Sequence, residues 1–271
     1  MNVCKVGIVT KFNNQNAIEA GKKIAEFFRS KNVKVFSVNN LDVIGVTTVS
    51  PEEVSKLDLD LVFSVGGDGT TLRTFRMLPK STPVFSVNIG GTKGILAEVA
   101  GDSNIKAQLE AILNGNCFFD SRIRIQARVA NQVFGPALND ILIMRTNLTR
   151  TPVFRICFLN ETLSFRMDGI IVATPTGSTG HSLSLGGPII HEQLNCLMIL
   201  PIAPVQRIPC MIIQPQDISV SSTHGTKIVI DGQEIYDANA ESSIIISRYE
   251  HDGKFMRLHK RGIRQIAQLG F

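Results

Sequence analysis

The sequence predicts two domains of different class, an α/β N-terminal domain with a parallel sheet followed by an all-β, sandwich-like domain. Strand and helix patterns alternate through residues 1–115, which favours βαβ units. After residue 116, short apolar segments separated by turn residues replace this alternation, which favours antiparallel sheets. The chain has 271 residues, of which 44% are hydrophobic, so its length and composition suffice for two packed cores.

The first predicted domain, residues 1–115, contains apolar segments with the length of buried strands and amphipathic segments with the helical period. We expect strands at 3–9, 33–38, 59–65 and 83–87, and helices at 16–30, 71–77 and 104–113. Because these two kinds of segment alternate, the strands are predicted to run parallel.

The second predicted domain, residues 116–250, begins with a segment at 122–129 in which apolar and polar residues alternate as in a half-buried antiparallel strand. Further strands are predicted at 140–144, 154–158, 169–173, 211–213, 227–230 and 242–247. Turn residues separate them, as in Asp231-Gly232. Residues 251–271 form a C-terminal tail, in which the basic segment 254–264 is predicted to be a solvated edge strand.

Charge and composition exclude several classes of function. The chain carries 28 basic and 23 acidic residues, a net charge of +5, without a dense basic patch among aromatics, so no nucleic-acid partner is expected. No apolar run reaches the length of a membrane helix and no signal-peptide pattern is visible, so we expect no membrane partner and a cytoplasmic location. Five scattered cysteines favour neither disulfides nor zinc. A phosphate-bearing small molecule suits this modest positive charge.

A glycine-rich turn follows the predicted strand at 59–65. Its residues, Gly66-Gly67-Asp68-Gly69-Thr70, bring backbone amides to the carboxyl end of a parallel strand, where amides commonly bind phosphate oxygens. A carboxylate repels phosphate, so Asp68 needs another role. It could bind a divalent metal or accept the proton of an attacking hydroxyl. It could equally cap the helix that is predicted to begin near Thr71.

Three later segments also carry ligand-binding residue types. Residues 87–98 place Asn88 and three glycines after a strand, and Asn139-Asp140 precedes an apolar strand. Residues 174–188 are rich in Gly, Ser and Thr, which suits a loop around a polar ligand, although connecting turns have similar composition.

Taken together and in this order, these segments and Asp231-Gly232-Gln233 resemble the NAD kinase family over most of the chain. The Gly66–Thr70 element alone is shared with lipid kinases and 6-phosphofructokinases. The resemblance implies a two-domain NAD kinase-like fold with the NAD site between the domains and a tail that returns to the first domain. It implies phosphorylation of the adenosine ribose 2′-hydroxyl of NAD by ATP or polyphosphate, giving NADP.

The family's site residues carry over position by position. The resemblance assigns the general base to Asp68 and implies that the other site residues bind the two substrates. These are Gly66, Gly67, Gly69, Arg73, Asn88, Asn139, Asp140, Arg150, Arg166, Asp168, Thr179, Gly180, His181, Ser182, Leu183, Ser184, Ala203 and Gln233. Since no cluster of metal ligands is visible, Mg²⁺ or another divalent cation is expected to be held mainly through the donor phosphates. A homodimer or homotetramer is expected as well.

Three positions depart from the family pattern. Asp140 stands where Glu is frequent, Gly180-His181 where Ala-Tyr is common, and Ile95 where Phe is usual. Two other functions remain open from the residues alone. A lipid kinase would use the same glycine turn but would need a membrane-binding amphipathic surface. A non-catalytic dinucleotide sensor would keep the Thr179–Ser184 loop without needing Asp68.

Overall fold

In a computed structural model of the protein, the structure describes residues 3–90, 94–100 and 105–260. The chain divides into two compact units. The first unit takes in the described residues up to Ser121 together with the C-terminal strand that starts at Gly253. The second unit is Arg122–Asp252.

Strands and helices alternate in the first unit. Its elements are β1 (Lys5–Thr10), α1 (Gln15–Ser30), β2 (Lys34–Ser37), β3 (Val46–Thr48), α2 (Pro51–Val54), β4 (Leu61–Val65), α3 (Asp68–Met77), β5 (Pro83–Asn88), β6 (Val99–Ala100), α4 (Ile105–Leu113), β7 (Phe118–Arg122) and, from the C-terminal segment, β20 (Gly253–Arg257). The strands form a sheet in the order β3-β2-β1-β4-β5-β20-β7, with β6 also beside β5. The pairs β1–β2, β1–β4 and β4–β5 are parallel, as predicted.

Helix α1 shows why these segments fold as they do. The Asn14 side chain accepts a hydrogen bond from the Ala17 amide (2.9 Å) and caps the first turn. One face of the helix, which includes Ile24 and Phe28, is buried against the sheet. Phe28 contacts Phe63 of β4 with ring centroids 5.3 Å apart. The helical period of the sequence therefore predicted both the helix and its packing face.

The C-terminal strand β20 differs from its prediction. We expected a solvated edge strand, but β20 lies between β5 and β7 inside the sheet. Phe255, Met256 and Arg257 are buried, with Arg257 only 1% exposed. Basic residues predicted solvent exposure, whereas Arg257 is accommodated by buried acidic partners from other segments. Residues 261–271 of the tail lie outside the described residues.

The second unit contains antiparallel strands and two short helical segments. Its elements are β8 (Ile125–Val129), β9 (Gln132–Ala137), β10 (Asp140–Arg145), β11 (Val153–Phe158), β12 (Glu161–Arg166), β13 (Gly169–Ala173), a 3₁₀ turn (Thr176–Thr179), α5 (His181–Ser184), β14 (Leu197–Ile202), β15 (Met211–Ile213), β16 (Ile218–Ser222), β17 (Thr226–Ile230), β18 (Glu234–Ala238) and β19 (Ile244–Arg248). They form two sheets, β15-β14-β13-β10-β17-β18 and β12-β11-β16-β19-β8-β9.

The two sheets of the second unit share one core. Fully buried Ile143 and Ile170 of the first sheet belong to the same apolar cluster as Ile156 and Ile246 of the second. An α/β domain with a parallel sheet followed by an antiparallel all-β domain is thus confirmed. No helix in the described part of the chain is both long enough and apolar enough to span a bilayer.

The single strand predicted at 122–129 is wrong. The chain leaves β7 at Arg122 and enters β8 at Ile125, so the alternating segment contributes to two different sheets. Arg122 and Arg124 read as outward-facing residues in the sequence, but both are buried. Arg122 pairs with Glu192 (3.3 Å), and the Arg124 Nε donates to the His251 carbonyl (2.7 Å). These partners compensate the burial of two charges that the alternation had assigned to solvent.

Candidate functional site

The glycine-rich turn joins the buried strand β4 to helix α3. A Cβ atom at Gly66 would collide with the Thr70 side chain, so this position requires glycine. The Gly66 amide donates to the Val87 carbonyl (2.9 Å), which fixes the turn against β5. A Cβ at Gly67, in contrast, would have no neighbour within 4 Å, and Gly69 is exposed. The turn is therefore anchored on one side and open on the other.

Asp68 is the first residue of α3. A helix was expected to begin near Thr71, and this start is wrong, as is the alternative in which Asp68 caps that helix. The helix starts three residues earlier, after Gly67, and has no side-chain cap. Gly67 adopts the extended conformation needed before a helix without contributing a side chain, so the Asp68 carboxylate is available for other contacts.

The Asp68 carboxylate is held by two backbone amides from the segment after β5. Its Oδ2 accepts from the Ile95 amide (2.9 Å) and its Oδ1 accepts from the Leu96 amide (3.1 Å). Burial raises the pKa of Asp68, and the two amide hydrogen bonds and the charge of Arg257 offset part of that rise. The result is an oriented carboxylate that is more basic than an exposed aspartate.

Asn88 lies beside Asp68 at the end of β5. It is 5% exposed, and its side-chain oxygen accepts from the Gly90 amide (3.2 Å). A Cβ atom added to Gly94 would lie 3.0 Å from the side-chain nitrogen (Nδ2) of Asn88 and 3.1 Å from Asp68 Oδ1. Two predicted site residues thus converge on a glycine backbone. Residues 91–93 of this loop lie outside the described residues.

Arg73 follows Asp68 on α3 and turns toward the end of β1. Its Nη2 donates to the Thr10 carbonyl (2.8 Å), and its guanidinium lies 3.8 Å from the centre of the Phe12 ring. Burial lowers the pKa of Arg73. These contacts hold a cation near the glycine turn, and its contact with a substrate stays a prediction.

In the second unit, Asp231 organises the predicted residues Asn139 and Asp140. Asp231 directly follows β17 in the left-handed conformation (φ 48°), and with Gly232 (φ 66°) it forms the predicted turn. Its Oδ1 accepts from the Asn139 amide (2.8 Å) and the Asp140 amide (3.2 Å), and its Oδ2 accepts from the Leu138 amide (3.1 Å). One carboxylate therefore fixes three consecutive peptide groups.

This arrangement perturbs Asp140, which is 5% exposed. Burial and the charge of Asp231 raise the pKa of Asp140 to about 7. A neutral carboxyl can donate as well as accept a hydrogen bond. Next to it, the Asn139 side-chain oxygen is enclosed and, among the described atoms, accepts no hydrogen bond.

The segment rich in Ser, Thr and Gly packs directly on Asn139. The Thr174 amide donates to the Asn139 carbonyl (2.8 Å), and a Cβ atom at Gly177 would collide with the same carbonyl. The Ser182 hydroxyl, which is buried, donates to the Gly177 carbonyl. The Ser182 hydroxyl, which was predicted to meet a ligand, is thus used inside the loop. His181 and Ser184 are exposed, and Thr179, Gly180 and Leu183 are partly exposed.

The remaining predicted residues divide between the two ends of the sheet. Gln233 is exposed in the turn after Asp231, at the same end as Asp140. Asp168 precedes β13 at the opposite end, because Asp140 pairs with Ala173 and Met144 with Gly169. Arg145 lies five positions after Asp140 along β10, roughly 17 Å away at about 3.4 Å per residue.

Asp168 is engaged by Arg145 through two contacts, Nε to Oδ1 (2.7 Å) and Nη2 to Oδ2 (3.1 Å). Near this end, Arg166 is exposed and its carbonyl accepts from the Val205 amide (2.8 Å). Ala203 has φ 44°, and Arg150 is exposed. The second unit by itself does not bring these residues to Asp140.

Sequence reasoning missed some residues that shape these sites. Asp231 was part of a quoted motif but received no role, although an Asp-Gly turn beside a binding segment was a visible signal. Arg145 and Arg257 carried no local signal, because their acidic partners lie 23 or more residues away along the chain.

Comparison with known proteins decides the family. A model of the ATP-NAD kinase N-terminal domain matches residues 6–117, and a model of the ATP-NAD kinase C-terminal domain matches residues 138–258. The NAD kinase of Thermococcus sibiricus is 30% identical over 266 residues, which cover 95% of each chain. The chain belongs to the NAD kinase family. The resemblance inferred from its motifs is confirmed.

Other NAD kinases and their structures agree. The NAD kinase of Clostridium beijerinckii is 34% identical over 246 residues, 87% of this chain and 82% of that one. A crystal structure of an NAD kinase from Archaeoglobus fulgidus in complex with ATP superposes with a TM-score of 0.79 at 26% identity, covering 98% of both chains. Yeast NADH kinase complexed with NADH has the same fold, with a TM-score of 0.82 at 22% identity, covering 99% of this chain and 87% of that one.

Two of the positions that depart from the NAD kinase family pattern, Ile95 and His181, lie in described parts of the structure. Ile95 binds Asp68 through its backbone amide, so an Ile side chain in place of Phe leaves that contact intact. His181 begins α5 with its side chain exposed. Among the described residues, no three His, Cys, Asp or Glu side chains are grouped so as to hold a metal ion.

Proposed function

We propose that this NAD kinase family member transfers the terminal phosphoryl group of ATP to the adenosine ribose 2′-hydroxyl of NAD, giving NADP, with Asp68 as the general base. Membership of the NAD kinase family supports the overall reaction. The observation that supports the base is the Asp68 carboxylate itself, which is partly buried and oriented by the Ile95 and Leu96 amides beside an open glycine turn.

Phosphoryl transfer depends mainly on alignment and charge stabilisation. The open space at Gly67, beside the exposed Gly69, leaves room for the donor phosphates at the start of α3. Asp68 accepts the 2′-hydroxyl proton as that oxygen attacks the terminal phosphorus, and the bond from this phosphorus to the bridging oxygen of ATP breaks, so that ADP leaves. Since burial raises the pKa of Asp68, its carboxylate binds the proton more strongly than an ordinary aspartate would.

A divalent cation, Mg²⁺ in this proposal, would neutralise charge on the transferred phosphoryl group. The described residues offer no protein cage, so we expect the donor phosphates to hold it, with Asp68 and Asn88 as the nearest polar side chains around Gly94. Polyphosphate as an alternative donor, and assembly into a homodimer or homotetramer, stay predictions.

On the side of the second unit, we assign the contacts with NAD first to Asn139 and Asp140. The Asn139 side chain is partly exposed, and its amide group suits a hydroxyl or amide of the dinucleotide. His181, Ser184 and Gln233, which are exposed at the same end of the sheet, are the next candidates. Roles for Arg150, Arg166, Asp168 and Ala203 stay predictions, because this unit alone does not bring them to Asn139.

The test of the base is Asp68→Asn. NADP formation from NAD, ATP and Mg²⁺ is followed with an NADP-specific dehydrogenase, and NAD binding is measured by calorimetry. We expect kcat to fall about 10²–10⁴-fold because a general base is lost. The dissociation constant of NAD should change by less than about threefold, because the lost interaction forms only in the transition state.

Asp60→Asn is the matched control. Asp60 also accepts two backbone amide hydrogen bonds, from Cys4 (2.7 Å) and Lys5 (2.8 Å), but it is exposed and lies outside the site. Its variant should keep full activity. An Asp68→Asn enzyme within tenfold of wild type would contradict the base assignment. Loss of NAD binding in parallel with turnover would make Asp68 an anchor.

A further inference from the structure

A buried arginine from the C-terminal strand lies behind Asp68. Arg257 on β20 is 1% exposed, and its Nε is 3.2 Å from Asp120 Oδ2 and its Nη1 3.6 Å from Glu98 Oε2. Its Nη1 also donates to the Leu96 carbonyl (2.8 Å). Two buried carboxylates and a carbonyl thus compensate the guanidinium and fix its direction.

The Leu96 peptide connects this arginine to the proposed base. Its carbonyl accepts from Arg257, and its amide donates to Asp68 Oδ1 (3.1 Å). Glu98 ties the same segment to the chain after β20, because its Oε1 accepts from the Leu258 amide (3.0 Å) and the His259 amide (3.1 Å). The segment that orients Asp68 is therefore held both by strand β20 and by the residues that directly follow it.

The helix that carries Asp68 is held by the same strand. The Arg257 guanidinium lies 4.2 Å from the centre of the Phe255 ring. On the other side, Phe255 packs against Phe75 of α3 with ring centroids 4.6 Å apart. Strand β20 thus supports both the helix that bears the carboxylate and the amides that bind it.

We propose that Arg257 is a positioning residue for phosphoryl transfer, which holds the Leu96 peptide so that the Asp68 carboxylate stays in its productive orientation. This inference rests on the proposed role of Asp68 as base. Its physical basis is the steep dependence of rate on geometry, since a displacement of about 1 Å at reacting groups can cost roughly 100-fold.

A positioning role has a consequence for pH dependence. If the Leu96 amide moves away, the Asp68 carboxylate loses a hydrogen bond that favours its charged form, so the pKa of Asp68 rises. The segments around Asp68 contain other charged or titratable residues. These include Lys11, Arg73, Glu98, Asp120 and His259. Arg73 is engaged by Thr10 and Phe12, and Glu98 and Asp120 pair with Arg257.

The experiment compares Arg257→Lys, Asp68→Asn and the double variant in the full-length enzyme. Arg257→Lys keeps the buried charge but loses the planar fork that reaches Leu96 and both acids. We expect kcat to fall about 10–100-fold, with KM for NAD and ATP changed less than about threefold. The acid side of the kcat–pH profile should move to higher pH. The double variant should be within about threefold of Asp68→Asn, because Arg257 acts through Asp68.

Ile246→Ala, in the core of the second unit, is the control for general destabilisation. It should lower the melting temperature and leave the kcat and pH profile of the folded enzyme unchanged. If Arg257→Lys does not fold, Glu98→Gln replaces it in the experiment. This substitution weakens the ion pair with Arg257 but keeps an oxygen for the Leu258 and His259 amides. It should shift the kcat–pH profile in the same direction by a smaller amount.

The outcomes separate the two proposals. Unchanged kcat in folded Arg257→Lys, or a double variant whose losses multiply, would overturn the positioning role and leave the base intact. An unshifted profile in Glu98→Gln would also overturn it. A fully active Asp68→Asn enzyme would overturn the base and, with it, this inference.

Discussion

Asp140 has a buried carboxyl group. The substitution Asp140→Asn keeps the size of this side chain but removes its ionisable group. Burial and Asp231 raise the pKa of Asp140 from its ordinary 3.8 to about 7. Between those two pH values the folded protein holds a proton that the unfolded chain has released, so stability falls as the pH rises. The asparagine variant has no such proton. Its stability advantage over wild type should therefore grow with pH.

The magnitude follows from the two pKa values. At about 1.36 kcal/mol per pKa unit, Asp140 should lower the free energy of unfolding by about 3 kcal/mol between about pH 5 and pH 8. The measurement is urea unfolding of both proteins at each pH, taken as a difference. Any pH-independent effect of the asparagine cancels in that difference.

Ile143→Val on the same strand is the control, because it removes a buried methylene and no titratable group. It should cost about 1 kcal/mol at every pH. The reasoning would be refuted by one result. This is a difference in the free energy of unfolding between Asp140→Asn and wild type that stays constant within about 0.5 kcal/mol from about pH 5 to pH 8. Asp140 would then ionise in the folded protein as it does in the unfolded chain.

Two further changes test the same end of the sheet. Asp231→Asn should lower the free energy of unfolding by about 1–3 kcal/mol, because the buried Leu138 amide loses its carboxylate acceptor. The loss should be smaller at about pH 8 than at about pH 5, since repulsion of ionised Asp140 is relieved; equal losses in urea unfolding would contradict this. Gly177→Ala should cost about 2 kcal/mol or more, because its Cβ would collide with the Asn139 backbone. Calorimetric melting should show this loss, with Gly186→Ala as a comparison that has open space but a positive φ.

Much of the fold was predictable because its signals are local. The period of α1, the apolar segments of β1 and β4 and the Asp231-Gly232 turn each follow from neighbouring residues. The predictions of solvent exposure failed for charged residues that the fold buries. Arg122, Arg124 and Arg257 read as solvent-facing residues, but the fold supplies partners that make their burial possible. No local pattern announces such partners.

The candidate site divides in the same way. The glycine turn, Asn139-Asp140 and the Ser/Thr-rich segment were visible as strings, and they also indicated the family. Their working geometry was not visible. The sequence could not say that the Ser178 and Ser182 hydroxyls bond to nearby backbone carbonyls, or that Asp168 lies at the opposite end of the strands from Asp140.

The sequence by itself determined the order of the elements, the position of Asp68 after a glycine turn, and the residue types available to a phosphate-bearing ligand. Only the tertiary structure decided what those groups can do. Asp68 is oriented by amides 27 and 28 residues away, Asp140 is made a weaker acid by a carboxylate 91 residues away, and Arg257 reaches Leu96 across 161 residues. Hydrogen bonds and burial act through space, so residues far apart in the chain set the basicity and direction of each carboxylate.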